Sequence, residues 1–212
     1  MSFDRLAPHY RWMEWILAGD KLQNCRVAFL EEIETPTRVL LVGEGHGRFL
    51  EVLRARFPQA VITVLDSSEA MLRVARGRAG NPAEPNPTRF EQGDALRWDP
   101  MGKFDVIATH FFLDCFTASQ LAELIPKLAR CLEPNGTWLL ADFCIPERGW
   151  QRFRAKAIHR VMYGFFRATT RLNSTRLTSP DSFLARAGLR LEKRCIREWG
   201  LLHSDLWRNP PR

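Results

Sequence analysis

Several features are missing from these 212 residues, and each absence removes a class of protein. No C-x-x-C pair and no His/Cys cluster is present. The five cysteines (Cys25, Cys115, Cys131, Cys144, Cys195) are odd in number and scattered, which argues against a zinc site or a disulfide framework and fits a reducing compartment, expected to be the cytoplasm. No apolar run approaches the ~20 residues that span a bilayer. The opening MSFDRLAPHYRWMEW lacks a basic start followed by an apolar stretch, so no secretory signal is expected. There is no internal repeat, no low-complexity tract and no G-x-x-x-x-G-K-[ST] phosphate loop. The composition that remains, 45% hydrophobic and 26% charged, is that of a globular chain. The formal net charge is +7. A basic surface of that size favours anionic partners without saying anything about fold.

Short apolar runs alternate with helical patterns. Strands are expected at Val39–Val42, Val61–Leu65, Thr88–Gln92, Phe104–Thr109 and Thr137–Ala141. Helices are expected at Phe49–Phe57, Ser68–Arg76 and Ala118–Leu132, the last ended by Pro134-Asn135-Gly136, with a long helix at about 150–171 and another near Pro180–Ala187. Residues 77–87 read as a loop. Alternation of this kind implies right-handed βαβ units and a mainly parallel sheet covered on both faces. The expected organisation is an N-terminal helical cover over residues 1–35 and an α/β three-layer domain over 36–212, with 145–180 inserted as a lid.

In open α/β sheets ligands gather at the carboxyl ends of the strands, where strand order switches. The first strand here ends in Gly43-Glu44-Gly45-His46-Gly47, followed by a helix whose N–H groups point back toward that end. Strand two ends in Asp66, 19 residues beyond Gly47. A carboxylate there can accept both hydroxyls of a ribose; Asp66, Ser67 and Ser68 are equally good helix caps. Gly93-Asp94-Ala95 follows the third strand, as an adenine contact or an ordinary turn. The dinucleotide fingerprint G-x-G-x-x-G fails at Arg48, which points to a nucleoside ligand without a diphosphate.

Taken in order, VLLVGEGHGRFL, VITVLDSSEAML, FEQGDALRW, FDVIATHFFLDCF and LEPNGTWLLADF resemble the class I S-adenosylmethionine-dependent methyltransferases, across about residues 36–145. FDRLAPHYRWMEWILAG is more loosely similar to the ubiquinone/menaquinone C-methyltransferase group. The resemblance implies a Rossmann-like, seven-stranded, mostly parallel sheet whose last strand is antiparallel, with S-adenosyl-L-methionine as cofactor. It also implies site roles. Gly43, Gly45 and Gly47 line the methionine part; Asp66 holds the ribose; Ser67 and Met71 border ribose and adenine; Asp94 and Ala95 hold the adenine edge. His110 faces the transferred methyl, and Tyr10 closes over the site. One departure stands out: the family's usual acid two residues before the first glycine is Leu41. Either Glu44 takes over its role or cofactor affinity is reduced.

Methyl transfer from a sulfonium is an in-line displacement that needs chiefly orientation, and a base only when the acceptor starts protonated. His110 and Asp114 are the candidate bases, against plainer roles as a strand-end hydrogen-bonding residue and a helix cap. Phe111 and Phe112 either flank a flat acceptor or are core. No metal is expected. The expected acceptor is small and apolar or aromatic, phenolic or quinone-like.

A stripe of Trp150, Phe153, Ala157, Ile158, Val161, Met162, Phe165 and Phe166 at helical spacing is expected to pack inward, with His159 facing solvent. Between 147 and 176 eight Lys/Arg stand against one acid, a local net of +7. That segment is either a lid with a solvated face or a contact for an anionic membrane surface. Nucleic acid is a weaker fit, because the aromatics lie on the stripe rather than among the charges. The remaining alternative is a binding protein on the same fold that has lost catalysis.

Overall fold

The computed structural model describes residues 20–79, 88–170 and 177–211, with the backbone alone for 161–170. The elements in chain order are α1 (Asp20–Arg26), β1 (Arg38–Val42), α2 (Arg48–Arg56), β2 (Val61–Asp66), α3 (Glu69–Arg76), β3 (Arg89–Gln92) and β4 (Phe104–His110). They continue with α4 (Ala118–Ala129), β5 (Leu132–Phe143), α5 (Trp150–Thr170), α6 (Asp181–Arg186), β6 (Arg190–Arg197) and β7 (Leu202–Arg208).

The seven strands form one sheet in the order β3-β2-β1-β4-β5-β7-β6. Pairings among β1 to β5 are parallel, while β7 runs antiparallel between β5 and β6. Strand order reverses between β1 and β4, where Val42 lies level with Thr109. This is the expected α/β three-layer, Rossmann-like fold.

Alternation along β1 explains the layers. Leu40 and Val42 enter a core built with Leu121, Leu124 and Leu128 of α4 and Leu184 of α6. Val39 and Leu41 enter the opposite core, with Phe49, Leu50 and Leu53 of α2 and Leu72 and Ala75 of α3. Both faces are covered, so the strands read as continuous apolar runs.

Three expectations need correction. First, α4 ends at Ala129, and Pro134-Asn135-Gly136 lies inside β5 rather than ending a helix. Phe104 pairs with Leu132 and Val106 with Thr137, so the triplet is an excursion of the strand. Its backbone is held from the end of β7: Asn209 Nδ2 donates to Leu132 O (3.1 Å) and Glu133 O (2.9 Å). Second, over residues 150–160 the inward face of α5 is rotated from the expected stripe, whose Val161, Met162, Phe165 and Phe166 side chains lie outside the described residues. Ala155 and His159 are buried, with Ile158 packed beside them, whereas Trp150 and Phe153 are 60% and 76% exposed. Third, His159 therefore does not face solvent; its ring meets Phe143 edge-on at 5.7 Å. Small Ala155 allows the helix to sit close to Ala141, Leu201 and Leu202, and that contact sets its rotation. The charged side of the expected lid holds in part: Arg152, Lys156 and Arg160 are exposed.

Arg194 of β6 clamps the sheet edge. Its Nε and Nη2 donate to the two oxygens of fully buried Asp205 at 2.7 and 2.6 Å, and its Nη1 donates to Asp181 of α6 at 2.9 Å.

Candidate functional site

The glycine loop leaves β1 at the switch point, and its three glycines have φ of 68°, 66° and 86° (Gly43, Gly45, Gly47). These left-handed values strain any residue with a Cβ. Their surroundings differ. A Cβ on Gly47 would lie 2.9 Å from the Ala75 Cα, so this glycine lets α2 and α3 approach. A Cβ on Gly43 would strike the Phe112 ring. A Cβ on Gly45 would meet nothing within 4 Å, so Gly45 alone borders open space.

Asp66 ends β2 half-buried, and both its oxygens hold backbone. Oδ2 accepts from Gly45 N–H at 3.0 Å, and Oδ1 accepts from Ser68 N–H at 2.9 Å. Ser68 is the cap of α3, its Oγ accepting from Met71 N–H at 3.3 Å. Met71 is buried in the first turn of α3 and Ser67 is half-buried beside it. Asp94 is exposed and closes a turn: its Oδ1 accepts from Leu96 N–H at 3.0 Å, while Ala95 packs into the core below.

Leu41 is fully buried in the core against α2, so no acid reaches the loop from there. The tie from Asp66 to Gly45 orders the loop instead. Glu44 has a different task. Its Oε1 accepts from Phe49 N–H (2.8 Å) and Leu50 N–H (3.1 Å), placing a carboxylate on the first turn of α2, where the helix dipole favours it. Burial pushes its carboxyl up to about 7, against the pull of the Arg26 cation and these two hydrogen bonds.

His110 ends β4, buried edge-on to Phe49 at 4.5 Å. Its Nδ1 has no hydrogen-bond partner among the described residues. Burial, and then the Arg26 charge, hold the imidazole down to about 3, so at neutral pH it is uncharged and a poor base. Phe111 follows at φ 53°, a strained left-handed position for a side chain of its size. Its ring meets Phe143 at 5.3 Å and lies under the Arg26 guanidinium at 5.2 Å. Asp114 is buried in the 3₁₀ turn Leu113–Cys115.

The structure thus brings Gly43, Glu44, Gly45, Gly47, Asp66, Ser67, Met71, Asp94, Ala95, His110, Phe111 and Asp114 to the carboxyl ends of β1 to β4. Tyr10 lies outside the described residues. Sequence reasoning missed Asp142 and Arg26. Asp142 had a signal: it is the second-to-last residue of β5, next to the switch point. Arg26 had none, since only the tertiary packing of α1 carries it there. The described residues contain no group of three or more His, Cys, Asp or Glu able to hold a metal. No described helix is long and apolar enough to cross a membrane. A cavity of about 370 Å³ lined by Asn135, Arg190 and Arg208 lies at the opposite edge of the sheet, away from these groups.

The residues fit S-adenosylmethionine on two structural points. Gly45 leaves backbone bare against open space, and the Asp66 carboxylate stands half-exposed at the end of the adjacent strand.

Comparison with known proteins agrees. Residues 39–136 match the family model described as a methyltransferase domain. Over 104 residues the chain is 36% identical to a trans-aconitate 2-methyltransferase of Methylobacterium nodulans, covering 49% of this chain and 37% of that protein. Over 113 residues it is 32% identical to a malonyl-[acyl-carrier protein] O-methyltransferase of a Paenibacillus species, covering 51% of this chain and 40% of that protein. The chain therefore spans well under half the length of these curated relatives. Among solved structures, the pyocyanin biosynthetic protein PhzM superposes with a TM-score of 0.71 at 14% identity, covering 99% of this chain and 62% of that one, a likeness of fold. The ordered motifs, the 3-2-1-4-5-7-6 sheet and the methyltransferase-domain match over residues 39–136 make this chain similar, in fold and in that domain, to the class I S-adenosylmethionine-dependent methyltransferases.

Proposed function

We propose that this chain transfers a methyl group from S-adenosylmethionine to a small acceptor held beside Phe111 and Phe143. The observation that carries this reading is the Gly45–Asp66 pair: bare backbone at the switch point, tied to a half-exposed carboxylate where a ribose binds. When bound, the cofactor supplies an activated methyl on a sulfonium. The chain's own residues hold and orient it. Asp66 would hold the ribose hydroxyls, Gly45 would face the methionine part, and Ala95 with Asp94 would border the adenine.

For the acceptor, the tilted Phe111–Phe143 pair favours a flat, apolar or aromatic molecule, phenolic or quinone-like. A second reading, a small carboxylic acid, is favoured by the buried Arg26 guanidinium over Phe111 and by the similarity to trans-aconitate 2-methyltransferases.

Calorimetric titration of S-adenosylhomocysteine tests the cofactor. Micromolar binding that Asp66→Ala weakens at least tenfold, about 1.4 kcal/mol, is expected. Absence of binding to the wild type would remove the proposal. Transfer of labelled methyl to phenols or to trans-aconitate then separates the two acceptor readings.

A further inference from the structure

Two carboxyls outside the cofactor contacts meet at the carboxyl ends of β4 and β5. Asp114 is 7% exposed and Asp142 1%. Asp142 Oδ2 accepts from the Asp114 amide at 3.1 Å, and its Oδ1 accepts from Phe143 N–H at 2.9 Å. Cys115 Sγ donates to Asp114 Oδ1 at 3.5 Å. Burial pushes Asp114 up to about 6, while hydrogen bonds from Cys115 and Asp142 pull it back. Burial, and then the charge of Asp114, push Asp142 well above the usual carboxylate range. Two acids buried together do not both ionise, so the pair holds one proton near neutrality. Asp142 is the more deeply buried and Asp114 also accepts from Cys115, so Asp142 keeps the proton and Asp114 carries the charge.

Among the described residues, the other titratable groups facing the pair offer no competing base. His110 on β4 is held neutral. Burial and the two carboxylates push the Cys115 thiol far up, and the charge of Asp66 on β2 adds to this. Burial pushes Cys144, just beyond β5, up to about 12.

Position ties the pair to the site. The turn that carries Asp114 lays the Phe112 ring on Gly43, and Phe111 on the same segment meets Phe143, the neighbour of Asp142. His110 lies level with Ala141, so its unpartnered, buried Nδ1 sits at the same strand ends. An acceptor's polar atom would fill that vacant hydrogen bond.

We propose that Asp114, positioned by Asp142, takes the proton of a hydroxyl acceptor during methyl transfer, which makes that acceptor a phenol or enol rather than an ionised carboxylate. This rests on the methyl-transfer reading above. The acceptor oxygen forms a bond to the methyl carbon, the sulfur–methyl bond breaks with its electron pair left on sulfur, and the hydroxyl proton passes to Asp114. The pair then holds two protons and returns one to solvent after product leaves. An ionised carboxylate has no proton to give, and the charge on Asp114 repels it.

Three measurements test this. Infrared difference spectra of the free protein at pH 7 should show a protonated-carboxyl stretch that Asp142→Asn removes and Asp114→Asn only shifts. Labelled methyl transfer at pH 8 should then compare 4-methylphenol, which is protonated, with 4-nitrophenol, which is largely ionised. Asp114→Asn should lose at least about a hundredfold in kcat on the first, the low end for general-base catalysis, and under tenfold on the second. Asp142→Ala should move the acid limb of the kcat/KM profile to higher pH with KM little changed, an effect a purely structural role would not produce. Equal losses on both phenols, no loss on either, or wild-type transfer to trans-aconitate but to no phenol would each overturn the proposal. Failure of the wild type to bind S-adenosylhomocysteine would instead remove the underlying reading, while the infrared band would still report whether the pair shares a proton.

Discussion

Gly45 and Gly47 share a left-handed backbone but differ in what lies beyond Cβ, so alanine at each should fail in a different way. At Gly45 (φ 66°) the new methyl enters open space. Left-handed strain costs about 1–2 kcal/mol, and the reduced freedom of the unfolded chain returns about 0.4–1 of that. The expected net loss is about 1 kcal/mol. At Gly47 (φ 86°) the same strain applies, and the methyl also lies 2.9 Å from the Ala75 Cα and 3.0 Å from its Cβ, a neighbour held in α3 and unable to swing away. Overpacking of this kind adds about 1–3 kcal/mol, for a total of about 2–4 kcal/mol. With a urea slope of about 3 kcal/mol per molar, Gly47→Ala lowers the unfolding midpoint by about 1 M and Gly45→Ala by about a third of that. Binding should show the reverse order. Gly45→Ala should weaken S-adenosylhomocysteine at least tenfold, whereas Gly47→Ala, measured where it is folded, should change it less than about threefold. Urea titration followed by circular dichroism, paired with calorimetry, reads both. Equal destabilisation by the two variants, or a larger binding loss at Gly47, would refute the division of one packing glycine and one cofactor-facing glycine.

Other consequences follow from buried charges and the exposed face. Arg194→Ala leaves Asp205 buried without its two strongest donors and should cost about 3–5 kcal/mol in urea unfolding; the double variant Arg194→Met/Asp205→Leu should recover much of this. Glu44 has its folded pKa raised from 4.5 to about 7, so the folded state binds the proton more tightly than the unfolded chain. Its contribution is complete below about 4.5 and is lost as pH rises through 7; Glu44→Gln should flatten that fall in melting temperature between pH 5 and pH 8. Trp150 and Trp199 pair at 5.8 Å on an exposed face that includes Phe153, with basic α5 side chains alongside. If this face meets anionic lipid, cosedimentation with phosphatidylserine vesicles should fall on Trp150→Ser/Phe153→Ser and at high salt; equal binding to neutral vesicles would sink that reading.

The fold was legible because its signals are local. Val39–Val42 and Val61–Leu65 are apolar at every position or nearly so, as strands covered on both faces must be, and the breaks between them carry glycine, proline or capping residues. The glycine loop and Asp66 were legible for a related reason: they occupy the ends of those strands, and a βαβ unit brings strand ends together whatever the helices contain. The rotation of α5 was not legible. Its apolar residues outnumber those one face can bury, and closeness to Ala141 and Leu202 selected the face through Ala155 and His159. The excursion at Pro134–Gly136 was misread because a breaker triplet does not say whether it ends a helix or interrupts a strand.

The order of motifs by itself determined the methyltransferase resemblance, the sheet and the ring of residues at its strand ends, since each of these depends on residues close in sequence or on strands of fixed direction. The tertiary structure alone decided the roles within that ring. It gave Glu44 to a helix terminus, Gly47 to helix packing and loop ordering to Asp66. It made His110 a neutral, poorly basic group by burying it beside Arg26, and it paired Asp114 with an acid 28 residues away on the neighbouring strand. A side chain's protonation state depends on what surrounds it in space, and spatial neighbours distant in the chain leave no mark on a single sequence.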